Sequence, residues 1–270
     1  MKIGSKNFEL NNNCYIMGIL NVTPDSFSDG GRFNSLDRAL FRVEEMLGEG
    51  MDILDIGGES TRPGYTKITE DEETERVVPV IEAVKSRFDV PVSLDTYKAD
   101  VAREGIAAGA DMINDIWGLR YDSGEMAKLI AETKLPYCLM HNRKCGEYAD
   151  FFRDMVNDLH ESLEIAEKAG ISREKIMLDP GIGFAKSHEQ NLEAVRRLAE
   201  LKAEFDMPIL LGISRKSMIG NVLGLPATER LEGTIAANVV GVLGGASVVR
   251  VHDVKENARA VKMTLALMKG

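Results

Sequence analysis

Met17-Gly-Ile-Leu-Asn-Val-Thr-Pro-Asp-Ser-Phe-Ser-Asp-Gly-Gly31 begins as a strand and then departs from anything packing requires. The apolar run from Ile16 to Leu20 suits a buried strand, and Asn21 closes it with an amide. The loop that follows carries Thr23, Asp25, Ser26, Ser28 and Asp29 around one aromatic, Phe27, ahead of two glycines. A long polar loop leaving the carboxyl end of a strand is where α/β proteins place chemistry.

Outward from that stretch, the same unit recurs. Strand candidates are Tyr15–Leu20, Ile53–Ile56, Val92–Leu94, Met112–Asn114, Tyr137–Met140, Ile176–Leu178, Ile209–Gly212 and Val248–Val251. Rich in Val, Ile, Leu and Met and bounded by Pro, Gly or Asp, they fit fully buried parallel strands. Between them lie helical patterns such as Ser35–Gly50, Asp71–Phe88, Tyr97–Ala108 and Phe151–Gly170. Thr69 stands three residues before Glu72, and Ser187 three before Gln190, two helix-start signatures. Eight strands alternating with eight helical segments imply an α/β chain folded as a (β/α)8 TIM barrel. A doubly wound open sheet would want a glycine-rich phosphate turn after its first strand, where this chain has Asn-Val-Thr-Pro. No linker or repeat divides residues 1–270, so one domain is expected.

The composition narrows the class. A formal charge of −10 and an acidic isoelectric point argue against nucleic acid or an anionic membrane as the main partner. Three cysteines, Cys14, Cys138 and Cys145, show no CxxC spacing; Cys14 and Cys138 lie in or beside apolar runs and read as buried thiols. No signal-peptide pattern or membrane-length apolar run is present, so a soluble cytoplasmic protein is expected.

In order, the strands end on Asn21, Asp55 to Glu59, Asp95, Asn114-Asp115, His141-Asn142, Asp179, Ser214, and Arg250 with His252. A barrel sets all these endings around one mouth. Helix capping explains a few of them, not a polar group at every ending. Asp95, Asn114 and Asp179 can meet the donor-rich edge of a flat heterocycle. Asp55 and Asp115 read as structural, turned away by the pleat. Arg250 and His252 are two apart and point the same way, an anion corner beside the loop Ser214-Arg-Lys-Ser217. A buried ion pair is the competing account of Arg250. Lys216 can reach the mouth, while Arg215 faces out or pairs with an acid. Asn21 adjoins the anion corner in a closed barrel, and an amide oxygen beside a diphosphate suits Mg2+, which keeps most of its water. The second polar loop, Gly57-Gly-Glu-Ser-Thr-Arg-Pro-Gly64, offers Thr61 and Arg62 on a turn stiffened by Pro63. Gly181-Ile-Gly-Phe184 adds an aromatic wall.

Taken together, NVTPDSFSDGG, GESTRPG, SLDT, IND, DPGIGF, SRKS and RVHDV resemble the motifs of dihydropteroate synthases in order and placement, over about residues 14 to 253. The resemblance implies condensation of 6-hydroxymethyl-7,8-dihydropterin diphosphate with p-aminobenzoate, giving dihydropteroate and pyrophosphate, assisted by Mg2+. It implies that Asp95, Asn114, Asp179 and Lys216 hold the pterin. Asn21 with the metal, Arg250 and His252 would hold the diphosphate. Phe27, Thr61, Arg62, Pro63, Phe184, Lys216 and Ser217 would frame the aminobenzoate, and Asp29 would stabilise positive charge at the pterin methylene. With the cysteines read as buried and no Ser–His pairing indicated, no activated nucleophile is expected and an SN1-like route follows. Two alternatives stay open: a corrinoid-dependent pterin-binding methyltransferase domain, which has no use for the aminobenzoate loops, and a non-catalytic pterin-binding barrel, which can lose the anion corner. Trp117 touches the pterin or covers the rim. Ile235–Gly245 is apolar nearly all round, so it should be buried on every side, most easily at a homodimer contact.

Overall fold

Ahead of the barrel the chain forms a small antiparallel hairpin, β1 (Lys2–Ile3) and β2 (Lys6–Asn7), which no sequence signal above announces. The computed structural model describes residues 1–23, 31–59 and 67–269, the side chains of 31–35 excepted. Eight parallel strands follow: β3 (Tyr15–Asn21), β4 (Ile53–Gly57), β5 (Val92–Asp95), β6 (Met112–Asp115), β7 (Tyr137–Met140), β8 (Ile176–Asp179), β9 (Leu210–Leu211) and β10 (Val248–Val251). They are ordered β8-β7-β6-β5-β4-β3-β10-β9, and a parallel bridge from Leu178 to Ile209 joins the two edges into a barrel.

Most strands run one residue beyond the apolar pattern, because the terminal polar residue still pairs. Asn21 sits opposite Gly57, Gly57 opposite Asp95, and Met140 opposite Asp179. The first and last barrel strands are neighbours, with Met17 opposite Arg250. β9 is shorter than Ile209–Gly212.

Among the described residues the helices are α1 (Gly31–Glu49), α2 (Glu70–Arg87), α3 (Ala99–Ala107), α4 (Glu125–Thr133), α5 (Phe151–Ala169), α6 (His188–Arg196), α7 (Leu198–Phe205), α8 (Ser217–Leu223), α9 (Leu231–Leu243) and α10 (Val254–Met268). There are ten where eight segments were expected. The helical segment after β8 breaks at Arg197, whose backbone leaves the helical region. The segment after β9 breaks where Gly224 closes α8 with φ +69° and Pro226 follows. Both start signatures hold: Thr69 Oγ1 accepts from Glu72 N at 3.1 Å while Glu72 Oε2 accepts from Thr69 N at 3.0 Å, and Ser187 with Gln190 repeats the exchange.

Alternation along the strands divides the interior. Ile16, Leu54, Leu94, Ile113, Leu139, Leu178, Leu211 and Val249 face the helices in the main core. The opposite face fills the barrel floor with Met17, Ile53, Met112, Cys138, Met177, Leu210 and Val248. Ile3, Phe8 and Leu10 pack against that layer and plug the amino-terminal end. No helix among the described residues is long and apolar enough to cross a membrane.

Within a single chain the apolar helix is only half covered. α9 buries Thr234, Asn238, Gly241 and Val242 but leaves Val240 49% and Leu243 60% exposed. Among the described residues no other element covers its outer face. α10, packed beside it, exposes Met263 and Leu267 as well.

Candidate active site

Two residues above the apolar floor, the same inward-facing register turns polar. Ile53 is followed by Asp55, Met112 by Asn114, Met177 by Asp179 and Val248 by Arg250. Arg250 reaches across the lumen: its Nε donates to Asp55 Oδ2 at 2.6 Å and its Nη2 to Asp95 Oδ2 at 2.5 Å. Asn114 Nδ2 lies 3.5 Å from the same Asp55 oxygen. This corrects the reading of Asp55 as a structural group turned away from its neighbours. It shares the parity of Ile53, so it points into the mouth. Its Oδ1 is buried without a hydrogen bond among the described residues. Asp115, of the other parity, is structural as expected. Its carboxylate accepts from Trp117 N at 2.7 Å, Leu119 N at 2.9 Å and the Tyr137 hydroxyl.

Crowding several ions into one lumen shifts them all. Burial raises Asp95 to about 7, with Asp55 adding to the rise and Arg250 opposing it. Burial likewise raises Asp179, against the pull of Lys216. Lys216 is lowered to about 8 by burial, although Asp179 favours its charge. Burial works against the Arg250 charge as well, but Asp55 and Asp95 outweigh it and hold the guanidinium protonated. The mouth thus keeps a cation bridging two carboxylates, with Nη1 outside both pairs.

Lys216 caps α8 from the loop after β9. Its ammonium donates to Ile182 O and lies 4.6 Å from the centre of the Phe184 ring. Ser217 next to it is exposed. Phe184 and Trp117 pack on a buried cluster of Tyr97, Ile116 and Met140, which forms an apolar wall at the mouth. Trp117 Nε1 is buried there without a partner among the described residues.

His252 Nδ1 lies 3.0 Å from Ser214 Oγ, which also accepts from His252 N at 3.2 Å. The expectation of no Ser–His pairing is therefore corrected. With a backbone N–H already directed at it, this hydroxyl orients the histidine rather than being activated by it. Arg215 pairs with Asp253 as expected, Nε donating to Oδ2 at 3.0 Å. Asn21 is half-buried at the end of β3, and a Cβ built on Gly57 would meet Asn21 Oδ1 and Asp95 Oδ2 each at 3.7 Å. No group of three His, Cys, Asp or Glu suited to a metal occurs among the described residues. Cys145 is exposed, unlike Cys14 and Cys138, so buried thiols describe only two of the three cysteines.

Phe27, Asp29, Thr61, Arg62 and Pro63 lie outside the described residues. The second polar loop nevertheless has a firm base. Lys98 Nζ donates to Glu59 Oε2 at 2.6 Å, Glu73 Oε2 at 2.8 Å and Ile68 O at 2.8 Å, while Tyr97 OH donates to Glu59 Oε1 at 2.8 Å. Sequence reasoning missed Lys98 because it sits inside a helical pattern. Its signal was its place three residues past Asp95, at the entry to α3.

Known proteins resemble this chain over nearly its whole length. A family model described as pterin binding enzyme matches residues 17–252. The dihydropteroate synthase of Clostridium beijerinckii is 58% identical over 265 residues, covering 98% of each chain. That of Bacillus subtilis is 53% identical, covering 94% of this chain and 88% of its own. A crystal structure of a clostridial dihydropteroate synthase in the presence of pteroic acid superposes with a TM-score of 0.94 at 50% identity, covering 98% of this chain and all (100%) of its own. A Xanthomonas albilineans dihydropteroate synthase with 4-aminobenzoic acid gives 0.91 at 39% identity, covering 96% and 94%.

Proposed function

This chain belongs to the dihydropteroate synthase family, and we propose from that premise how its mouth divides the reaction. It is a transferase of folate biosynthesis. One observation carries the assignment of roles: Asp55, Asp95, Asn114, Asp179, Lys216 and Arg250 converge on a single rim above an apolar floor.

Asp95, Asn114 and Asp179 accept from and donate to the edge of the pterin ring, and Lys216 closes that edge from the β9 side. Asn21, His252 and the Nη1 edge of Arg250 face the diphosphate. Asn21 Oδ1, a neutral oxygen aimed at the mouth beside Asp95, fits Mg2+ as a single protein ligand for an ion that arrives with the substrate. The ion supplies Lewis-acid neutralisation of the leaving group when bound.

The C–O bond to the diphosphate breaks with its electron pair leaving on oxygen, and the conjugated dihydropterin carries the methylene cation. Asp29 is assigned to that cation. The arylamine nitrogen then forms the new bond and loses a proton. Phe27, Thr61, Arg62, Pro63, Phe184 and Ser217, with the stem of Lys216, frame this second substrate and exclude water. No protein nucleophile is required.

The chain is assigned to the cytoplasm, in keeping with its unpaired cysteines. The exposed apolar face of α9 and α10 is assigned to a homodimer contact. Leu243→Asp is expected to shift sedimentation from dimer to monomer at micromolar concentration; a wild-type monomer contradicts the dimer. For the reaction, protein supplied with Mg2+, pterin diphosphate and p-aminobenzoate is expected to release pyrophosphate in step with dihydropteroate. Folded protein that binds pterin yet forms no product refutes the assignment.

A further inference from the structure

We infer that Lys186, oriented by His141, is a positioning residue that fixes the Gly181–Ala185 turn and so the aminobenzoate side of the mouth. The inference rests on the assignment of Phe184 and Lys216 given above.

The turn leaves β8 just after Asp179 and makes one backbone hydrogen bond of its own, Phe184 N to Gly181 O at 3.1 Å. Gly181, Gly183 and Ala185 all lie in the left-handed region, at φ +69°, +86° and +45°. At Gly181 a side chain is impossible, since a Cβ would lie 2.0 Å from His141 O. Beyond that bond, groups outside the turn reach its carbonyls. Lys216 takes Ile182 O, Tyr148 OH takes Ala185 O at 3.0 Å, and Lys186 Nζ takes Gly181 O at 2.9 Å and Phe184 O at 3.1 Å.

Lys186 has one further partner, His141 Nδ1 at 2.8 Å. An ammonium carries three donors and no acceptor, and here it meets three acceptors. The match needs a bare Nδ1 on His141. On its other side, His141 Nε2 lies 2.9 Å from Asp158 Oδ2, which places the ring proton there. Burial and the neighbouring Lys186 lower His141 to about 4, so the ring stays neutral near pH 7. Asp158 is fixed in turn by Arg143, whose Nε and Nη2 donate to its two oxygens at 2.5 and 3.2 Å.

The chain of contacts runs Arg143, Asp158, His141, Lys186, then the turn. Two of the three donors of Lys186 go to carbonyls of this turn, Gly181 O and Phe184 O. Burial lowers Lys186 to about 7; of the charges that face it, Asp179 and Asp158 favour its proton, while Lys216 and Arg143 oppose it.

Steady-state kinetics of Lys186→Met, His141→Leu and Phe184→Ala test the inference. Loss of these charged hydrogen bonds in Lys186→Met is expected to raise the KM for p-aminobenzoate about tenfold. The KM for pterin diphosphate and the saturated kcat should move less than about twofold, because Asp95, Asn114 and Arg250 stand on other strands that Lys186 does not contact. His141→Leu removes one acceptor and keeps the lysine, so the same shift should appear at about threefold. If Lys186→Met does not fold, Lys186→Gln, which keeps two donors on a shorter stem, should raise the same KM selectively but by about threefold. An unchanged aminobenzoate KM, or equal rises for both substrates, overturns the inference. If Phe184→Ala also leaves the aminobenzoate KM unmoved, the assignment of Phe184 has failed instead.

Discussion

The two ends of this barrel are built from the same strands and do opposite work. At the amino-terminal end, Met17, Ile53, Met112, Met177 and Val248 meet under a plug of Ile3, Phe8 and Leu10. Two residues later, Asp55, Asn114, Asp179 and Arg250 occupy the same inward register. One pleat repeat, about 6.6 Å along the strand, separates a layer that stabilises from a layer that binds. The floor keeps water out from beneath the ions, which is why burial dominates their shifted protonation.

The comparison breaks first at Arg250. Arg250→Ala is expected to lower turnover by about 10²–10³-fold, the usual effect of losing a charge-stabilising donor. Binding of a pterin lacking diphosphate should weaken far less, as calorimetry would reveal; equal losses would remove Arg250 from the leaving-group corner.

The pH response of the mouth is smaller in scale. Asp95 is raised from 3.8 to about 7, so the folded protein holds a proton that the unfolded chain has lost. The stabilisation this confers is full below pH 3.8 and falls as pH rises to about 7. Denaturant titrations of wild type and Asp95→Asn across that window should diverge by at most roughly 1.4 kcal/mol per pH unit. Parallel curves would contradict the shift.

At the floor the expected change is smaller again and of another kind. Ile53→Val should cost about 1 kcal/mol of stability while leaving both KM values as they were. A selective loss of turnover from that substitution would show that floor and mouth are not separable.

Much of this was legible in the residues. The ion-pair account of Arg250 is the one its contacts with Asp55 and Asp95 show, and the paired start signals at Thr69 and Ser187 mark helices that form as expected. Asp55 was misread because the pleat was taken to turn it away together with Asp115, whereas its parity with Ile53 puts it in the lumen. Lys98 and Lys186 were harder to read, since Glu59, Glu73 and His141 lie 25 to 45 residues away along the chain and only folding brings a lysine within their reach. The hairpin plug escaped notice because strands of two residues each leave no periodic pattern.

A crystal structure with pterin diphosphate and p-aminobenzoate bound would test the central claim most directly. The pterin edge should lie within about 3.2 Å of Asp95, Asn114 and Asp179, with the diphosphate at Asn21 and His252 and the arylamine on the Phe184 side. A pterin seated away from these carboxylates, or a diphosphate directed away from β10, would contradict it.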